Sequence, residues 1–237
     1  MGKLLEGRVA VVTGAGNGIG RAEAVASAKQ GARVIVNDIG TSYDGRGRSR
    51  RPANEVVKQI RSMGNVAIAD YHSVATEKKA ESIIRTAIEH FGRIDVLVNN
   101  TVIVKDPRNI YGYDTDDWED ILRTHLYGTF YCTRCACSFM KKQGYGRIIN
   151  TSSHVGLGWK GFSAYGAAKE GIIGFTRTVA REMAEHGVTC NAIRPIAAWR
   201  GTKEITSELA VNRPEDVATL VVFLASERAD ALNGCIF

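Results

Sequence analysis

The sequence predicts an α/β fold in which one doubly wound parallel sheet has helices on both faces. Short β-branched runs alternate with longer amphipathic segments along the 237 residues, a pattern typical of parallel strands joined by crossover helices. No internal repeat or break in composition marks a second domain, and the length suits one domain with a sizeable core. We therefore expect a single domain over residues 1–237.

Six strands and six helices are predicted in alternation. The strands are Arg8–Thr13, Ala32–Asp38, Asn65–Tyr71, Ile94–Asn99, Gly146–Ser152 and Val188–Arg194. The helices are Ile19–Gln30, Pro52–Met63, Thr76–Phe91, Thr115–Lys142, Ala164–His186 and Pro214–Ala225. Pro52 and Pro214 suit the first turn of a helix, and glycines suit the ends of five of the six helices: Gly31, Gly64, Gly92, Gly144 and Gly187. The irregular connector Trp199–Val211 is a candidate cover for a pocket.

The overall composition is that of a soluble globular protein, with 44% hydrophobic and 24% charged residues. The apolar runs are too short to span a bilayer, so we expect no membrane association. The first residues lack the apolar region of a signal peptide, and the last four, Gly234–Phe237, are not a peroxisomal or retention signal. We therefore expect a cytoplasmic location.

The net charge of +6 is concentrated in one Gly/Ser-rich stretch that contains Arg46, Arg48, Arg50 and Arg51. No aromatic residues interleave these arginines, so we expect no nucleic-acid partner. Two interpretations remain: a solvated loop, or a clamp for a phosphate-bearing substrate or cofactor.

The five cysteines do not predict a metal site. Cys132, Cys135 and Cys137 cluster in one predicted helix, but no second Cys/His pair follows at metal-ligand spacing. We interpret them as small buried apolar residues.

A glycine-rich turn follows the first predicted strand. The segment Thr13–Gly20 reads TGAGNGIG and leads directly into the first helix. Its glycines allow a tight turn, so that main-chain amides approach a pyrophosphate at the helix N-terminus. A tight turn without a ligand is the alternative.

The second predicted strand ends in Asp38, about twenty residues beyond those glycines. A carboxylate there accepts hydrogen bonds from the adenosine ribose and repels a 2′-phosphate, which favours NAD over NADP. Ile39 follows it, rather than a phosphate-pairing arginine.

Tyr165 and Lys169 form a candidate acid–base pair. Residues four apart share one face of a helix, so the phenol and the ammonium are expected side by side. A neighbouring ammonium favours the phenolate, which lowers the tyrosine pKa toward a useful range.

Together these motifs, with Asn99-Asn100 after the fourth strand and a serine after the fifth, resemble the short-chain dehydrogenase/reductase family. The resemblance covers essentially the whole chain and implies a Rossmann-type domain that transfers a hydride between NAD(P) and an alcohol or ketone. It implies Tyr165 as general acid/base, Lys169 as the residue that lowers its pKa and binds the nicotinamide ribose, and a serine that orients the substrate oxygen. The residues it implies at the cofactor are Gly14, Gly16, Asn17, Gly18, Ile19, Gly20, Asp38, His72, Ser73, Val74, Asn99, Asn100, Tyr165, Lys169, Pro195 and Ile196.

Two serines are candidates for the catalytic position. Ser152 lies at the family's usual interval of thirteen residues before Tyr165, whereas Ser153 has the usual glycine, Gly156, three positions later. We prefer Ser153, with one residue deleted in the loop Leu157–Phe162. Ser152 is the alternative, and a polar strand end without a catalytic role is a third interpretation.

Several positions depart from the family pattern. His125 stands where the family has an asparagine, and we include it among the catalytic candidates as a member of a proton relay; a packed helical histidine is the alternative. Thr101-Val102 replaces Ala-Gly, His72 takes the place of an adenine-contacting aspartate, and Pro195-Ile196 replaces Pro-Gly. The sequence stops at Phe237, where a last strand would begin, so we expect a shortened or less firmly assembled chain.

The resemblance also suggests a substrate and an assembly. The loop Gly40–Arg51 and the segment Asn191–Ile196 look like the (3R)-hydroxyacyl-CoA dehydrogenase modules of multifunctional β-oxidation enzymes, so a CoA ester is one candidate among small alcohols and ketones. The alternatives are an NADP-dependent 3-oxoacyl reductase and a dinucleotide-binding regulator without catalysis. The long fifth and sixth helices resemble the pairing surfaces of dimeric and tetrameric relatives, so we expect a homo-oligomer.

Overall fold

The computed structural model describes residues 2–196 and 213–237, and its sheet confirms the predicted fold class. The six strands are β1 Val9–Thr13, β2 Arg33–Asn37, β3 Ala67–Asp70, β4 Val96–Asn99, β5 Gly146–Thr151 and β6 Val188–Ile193. All neighbours pair in parallel in the order β3-β2-β1-β4-β5-β6. The order reverses between β1 and β4, which opens a crevice at the carboxyl ends of the strands.

Among the described residues, seven α-helices cover the two faces of the sheet. They are α1 Gly18–Lys29, α2 Arg51–Ser62, α3 Glu77–Phe91, α4 Thr115–Leu122, α5 Gly128–Gln143, α6 Ser163–Met183 and α7 Pro214–Ala225. The predicted helix Thr115–Lys142 is divided, because a π-helical turn over Arg123–Tyr127 joins α4 to α5. The predicted connector Trp199–Val211 lies outside the described residues.

The buried residues form one apolar layer on each face of the sheet. Alternate residues of a strand point to opposite faces: Ala10 and Val12 of β1 pack with residues of α1, α2 and α7, whereas Val9 and Val11 pack with α3, α5 and α6. Cys132 belongs to the second layer and is fully buried, as expected of a small apolar residue, whereas Cys135 and Cys137 pack against that layer and are only partly buried.

The last residues of the chain extend the edge of the sheet. Ile236 forms a parallel bridge with Ala192 of β6, and the Arg194 amide donates to the Phe237 carbonyl over 2.7 Å. These bonds lie where the sequence predicts the beginning of a last strand. Among the described residues, the helices lack the combined length and apolar character needed to cross a bilayer.

Glu23 is an unusual member of the core. It lies on α1, which packs against α7, and its side chain is fully buried. Neither carboxyl oxygen has a hydrogen-bond partner among the described residues, and the same holds for the Ser27 hydroxyl one turn later. Burial raises the pKa of Glu23 to about 8, because a carboxylate loses its hydration there.

We expect Glu23→Gln to stabilise the protein by about 3 kcal/mol at pH 7. The folded-state pKa is about 8 against an ordinary value of 4.5, so wild-type stability falls as the pH rises through this window. The gain should therefore shrink toward zero at the acidic end. Urea unfolding of the wild type and of Glu23→Gln, at pH values between the two pKa values, measures this gain in stability. The exposed Glu89→Gln is the control. A difference that does not change with pH would contradict this assignment.

Candidate active site

The carboxyl ends of the strands open into a cavity of about 900 Å³. Its lining contains the glycine-rich turn and Asp38 on one side, and Ser153, Tyr165 and Lys169 on the other. Parallel strands bring their carboxyl ends to one edge of the sheet, which is why residues far apart in sequence meet here. The topology thus joins the two predicted sites in one space.

The turn after β1 is compact because its glycines are in close contact with neighbouring residues. A Cβ atom on Gly16 would lie 2.6 Å from the Asp38 carboxylate, and one on Gly20 would lie 2.3 Å from the Asn100 amide nitrogen. Gly14 and Gly18 have φ angles of +64° and +52°, which favour glycine. Gly14, Asn17, Gly18, Ile19 and Gly20 line the cavity, at the N-terminus of α1.

Asp38 lines the cavity directly after β2. Its Oδ2 accepts a hydrogen bond from the Gly16 amide over 2.8 Å, and its Oδ1 accepts one from the Gly40 amide over 2.6 Å. Asp38 therefore holds the glycine-rich turn and the following loop together. Each oxygen keeps one further lone pair for a ligand.

The arginine-containing loop folds back over the same end of the cavity. The Val104 amide, after β4, donates to the Tyr43 carbonyl over 2.9 Å. Arg46 is paired with Asp44, Arg51 with Glu55, and Arg50 lies over the Tyr71 ring. Arg48 lines the cavity, and no ion pair to it is found among the described residues. One arginine of the four is therefore in position to meet a ligand there.

The segment after β3 lines the cavity with His72, Ser73 and Val74. Asp70, two residues earlier, is buried and does not belong to the lining. Its carboxylate accepts hydrogen bonds from Asn37 and Thr86 and lies 2.8 Å from His72 Nδ1. Asp70 thus positions His72, which is the residue that reaches the cavity.

The two asparagines after β4 lie in different places. The Asn100 amide donates to the Thr13 carbonyl over 3.0 Å and lines the cavity beside the glycine-rich turn. Asn99 lies behind the cavity: its amide donates to Thr133 on α5 and to Asn150 on β5. The Asn99 side chain therefore supports the framework, whereas that of Asn100 shapes the binding surface.

The two serines after β5 are distinguished by their hydrogen bonds. The Ser153 hydroxyl accepts from the Val155 amide over 3.2 Å, and its interaction with the Tyr165 phenol lowers the pKa of that phenol. The Ser152 hydroxyl instead donates to the Lys169 carbonyl over 2.9 Å and is buried. Ser153 is thus the serine that is coupled to the phenol.

Tyr165 and Lys169 lie one turn apart on α6, with the Lys169 nitrogen 5.4 Å from the centre of the Tyr165 ring. Burial raises the pKa of Tyr165 to about 12, while the hydrogen bond from Ser153 lowers it. Burial also lowers the pKa of Lys169 to about 7. The pKa of Tyr165 is thus raised, whereas the sequence predicts that it is lowered. Both side chains lose hydration, and the free-energy cost of a buried charge exceeds the stabilisation that the phenolate and the ammonium give each other.

His125 lies behind the tyrosine, within the π-helical turn. Its ring is fully buried and stands edge-on to the Tyr165 ring at 5.0 Å. Nε2 lies 2.9 Å from the Ile103 carbonyl oxygen and 3.0 Å from its amide nitrogen, while Nδ1 has no partner among the described residues. Burial and the charge of Lys169 hold the pKa of His125 well below 6.5. It is therefore a neutral imidazole at neutral pH, contrary to the expected titration near neutrality.

The positions that depart from the family pattern add bulk around the cavity. Thr101, Val102, Pro195 and Ile196 all line it, and Val102 and Ile196 are partly exposed. The Thr101 amide lies 3.3 Å from the Thr13 hydroxyl, to which it donates. The side chains at these four positions thus occupy part of the cavity wall.

Sequence reasoning missed one residue that builds the site. Asn150 joins β4 to α6, since it accepts from Asn99 and donates to Thr176. An asparagine inside an apolar strand was a usable signal for Asn150. By contrast, the segment His154–Phe162 is predicted from the sequence to supply part of the pocket wall, and His154, Trp159 and Phe162 line the cavity together with Ser153 and Tyr165.

The cavity fits a nicotinamide dinucleotide. The glycine-rich turn is a cradle that Cβ atoms would fill, and it presents main-chain amides at a helix N-terminus, which suits a pyrophosphate. Asp38 has free acceptor positions for ribose hydroxyls, and Lys169 supplies a donor at the opposite end. The same cavity therefore contains groups for both ends of such a molecule.

Comparisons with known proteins agree with this geometry. The family described as short chain dehydrogenase matches residues 8–203. The chain is 47% identical to the peroxisomal multifunctional enzyme type 2 of Drosophila melanogaster, over 97% of this chain and 38% of that protein. It is 39% identical to a 3-oxoacyl-[acyl-carrier-protein] reductase of Synechocystis sp., over 96% of this chain and 92% of that protein.

A solved structure is also similar over nearly the whole chain. The crystal structure of a short chain dehydrogenase from Mycobacterium avium superimposes with a TM-score of 0.87 and 44% identity, covering 99% of this chain and 82% of that one. By contrast, this chain spans less than two-fifths of the length of the peroxisomal multifunctional enzymes type 2 of Drosophila melanogaster and Mus musculus.

We expect the Lys169 side chain to titrate near pH 7, well below an exposed lysine, because burial disfavours its ammonium. NMR titration of the lysine ¹³Cε resonances measures this, with Lys169→Met to assign the signal. Lys160, which is exposed in the neighbouring loop, is the internal control. A Lys169 resonance that titrates together with that of Lys160 would contradict the burial argument.

Proposed function

The chain belongs to the short chain dehydrogenase family, and from this premise we propose that it is an oxidoreductase that transfers a hydride between NAD(H) and a secondary alcohol or ketone. The observation that carries the proposal is that Ser153, Tyr165 and Lys169 line one cavity together with Asp38, with Tyr165 and Lys169 one turn apart on α6. A binding protein without catalysis needs no such arrangement.

The proposed chemistry assigns one role to each of three side chains. When bound, the dinucleotide supplies the hydride acceptor or donor and, when oxidised, a positive charge. In oxidation, Tyr165 as phenolate takes the hydroxyl proton of the alcohol while the carbinol carbon gives up a hydride with its electron pair. Ser153 holds the reacting oxygen by a hydrogen bond. In reduction, Tyr165 returns the proton to the carbonyl oxygen.

Lys169 and His125 support the phenol in this proposal. The ammonium form of Lys169 favours the phenolate, although burial leaves its pKa at about 7. His125 is proposed as a relay member that acts as a neutral hydrogen-bonding group, with its unpartnered Nδ1 available. The alternative for His125 is support of the Tyr165 ring through their edge-on contact.

NAD is the proposed cofactor, and NADP is the alternative. Asp38 favours NAD, because a carboxylate repels a 2′-phosphate. Arg48 at the same end of the cavity is the feature that favours a phosphate. The balance between these two side chains decides the preference.

The proposed substrate is a 3-hydroxyacyl-CoA or a similar small alcohol, and the 3-oxoacyl reduction named for the cyanobacterial relative is the alternative. Arg48 supports a phosphate-bearing substrate, while Trp159 and Phe162 supply apolar wall. We propose a homo-oligomer assembled through α5 and α6; the partly exposed Phe130 lies on α5, and the partly exposed Tyr127 directly precedes that helix. The proposed compartment remains the cytoplasm, although the fly relative is named as peroxisomal.

We expect Tyr165→Phe to lower kcat by at least about 10³-fold, because it removes the group that carries the proton. NADH affinity, measured by fluorescence titration, should change less than about twofold, since the ring itself remains. Turnover is measured with NAD and NADP across secondary alcohols, steroids and hydroxyacyl-CoA esters. Tyr111→Phe, a highly exposed position, is the matched control. Retained turnover in Tyr165→Phe would rule out the mechanism.

We expect Asp38→Ala to weaken NAD(H) binding about tenfold or more and to reduce the preference for NAD(H) over NADP(H), because a charged acceptor is lost. Equilibrium binding of both cofactors measures the ratio. Asp44→Ala is the control, since Asp44 lies in the same loop and pairs with Arg46. An unchanged ratio in Asp38→Ala would refute the assignment.

A further inference from the structure

A second polar side chain faces the space in which the proposed substrate would react. His154 follows Ser153 directly and lines the cavity. Both of its ring nitrogens are shielded from solvent, and neither has a hydrogen-bond partner among the described residues. A buried polar group without a partner costs free energy, so its retention calls for a physical explanation.

Apolar side chains follow His154 in this part of the cavity wall. Val155, Trp159 and Phe162 line this part of the cavity, and Phe162 contacts the Tyr165 ring at a centroid distance of 6.4 Å. His154 thus adds a further polar side chain to this wall, next to Ser153 and Tyr165, which hold the reacting oxygen in the proposed mechanism. An imidazole can donate from one nitrogen and accept at the other.

Trp159 covers the histidine. The two rings are perpendicular, with centroids 5.1 Å apart, and the indole is 41% exposed. Trp159 lies between Gly158 and Gly161, whose φ angles of +109° and +89° are accessible mainly to glycine. Glycines impose few restrictions on the backbone, so this short loop is suited to local adjustment when a ligand enters.

We propose that His154 determines substrate specificity by hydrogen bonding to a second oxygen of the substrate, close to the carbinol carbon, when the Trp159 ring turns aside. The ligand class is therefore a β-oxygenated alcohol, such as a 3-hydroxy ester or thioester, in preference to a simple secondary alcohol. This inference rests on the proposed dehydrogenase function. A site that hydrogen-bonds a substrate oxygen discriminates strongly against an analogue that lacks it.

The test compares methyl 3-hydroxyhexanoate with octan-4-ol, which has the same chain length but lacks the ester oxygens. We expect His154→Leu to lower kcat/KM for the ester about tenfold or more and to change that for the alcohol less than about twofold. His154→Gln, which keeps a donor and an acceptor, should recover part of the loss. His90→Leu, at an exposed histidine, is the control.

Each other outcome decides against the inference. An equal loss for both compounds would mean that His154 only supports the loop, and no loss for the ester would remove it from recognition. Failure of the wild type to oxidise either compound or any hydroxyacyl-CoA ester, with NADH binding intact, would refute the proposed function itself. That result is distinct, since it appears before any His154 variant is made.

Discussion

The hydrogen bond from Lys169 to the Thr151 carbonyl, 2.7 Å long, is the contact on which the candidate site depends. It joins helix α6 to the last residue of strand β5, so Tyr165 and Ser153 are held on the two sides of one short connection. The Ser152 hydroxyl adds a second bond between the same segments. The two adjacent serines therefore make different contacts: Ser152 holds α6 against the end of β5, and Ser153 lies beside the Tyr165 phenol.

Burial disfavours the charged forms of three side chains in the candidate site. Desolvation moves the pKa of Tyr165 up, that of Lys169 down and that of His125 well down. In the proposed mechanism, the phenolate therefore depends on Ser153, on the Lys169 ammonium and on the charge that an oxidised dinucleotide would supply. A group used in proton transfer benefits from such tuning, since its pKa must approach the working pH.

Ile103 and its neighbours connect the two ends of the cavity. The main chain of Ile103 contacts His125, behind the tyrosine, and the Val104 amide bonds to Tyr43 in the arginine-containing loop. One short segment after β4 therefore contacts both the π-helical turn that carries His125 and the loop that carries Arg48.

The sequence by itself determined the parallel sheet, the glycine-rich turn and the placement of Tyr165 and Lys169 one turn apart on a helix, because alternating apolar runs and residues four apart on a helix are local properties. Only the tertiary structure decided which serine meets Tyr165, that the Asn99 side chain lies behind the cavity, and that His125 stays neutral. The burial of the His154 ring nitrogens and of the Glu23 carboxylate also belongs to this second group. Burial and the choice of hydrogen-bond partner depend on segments that are distant in sequence and come together only in the folded chain.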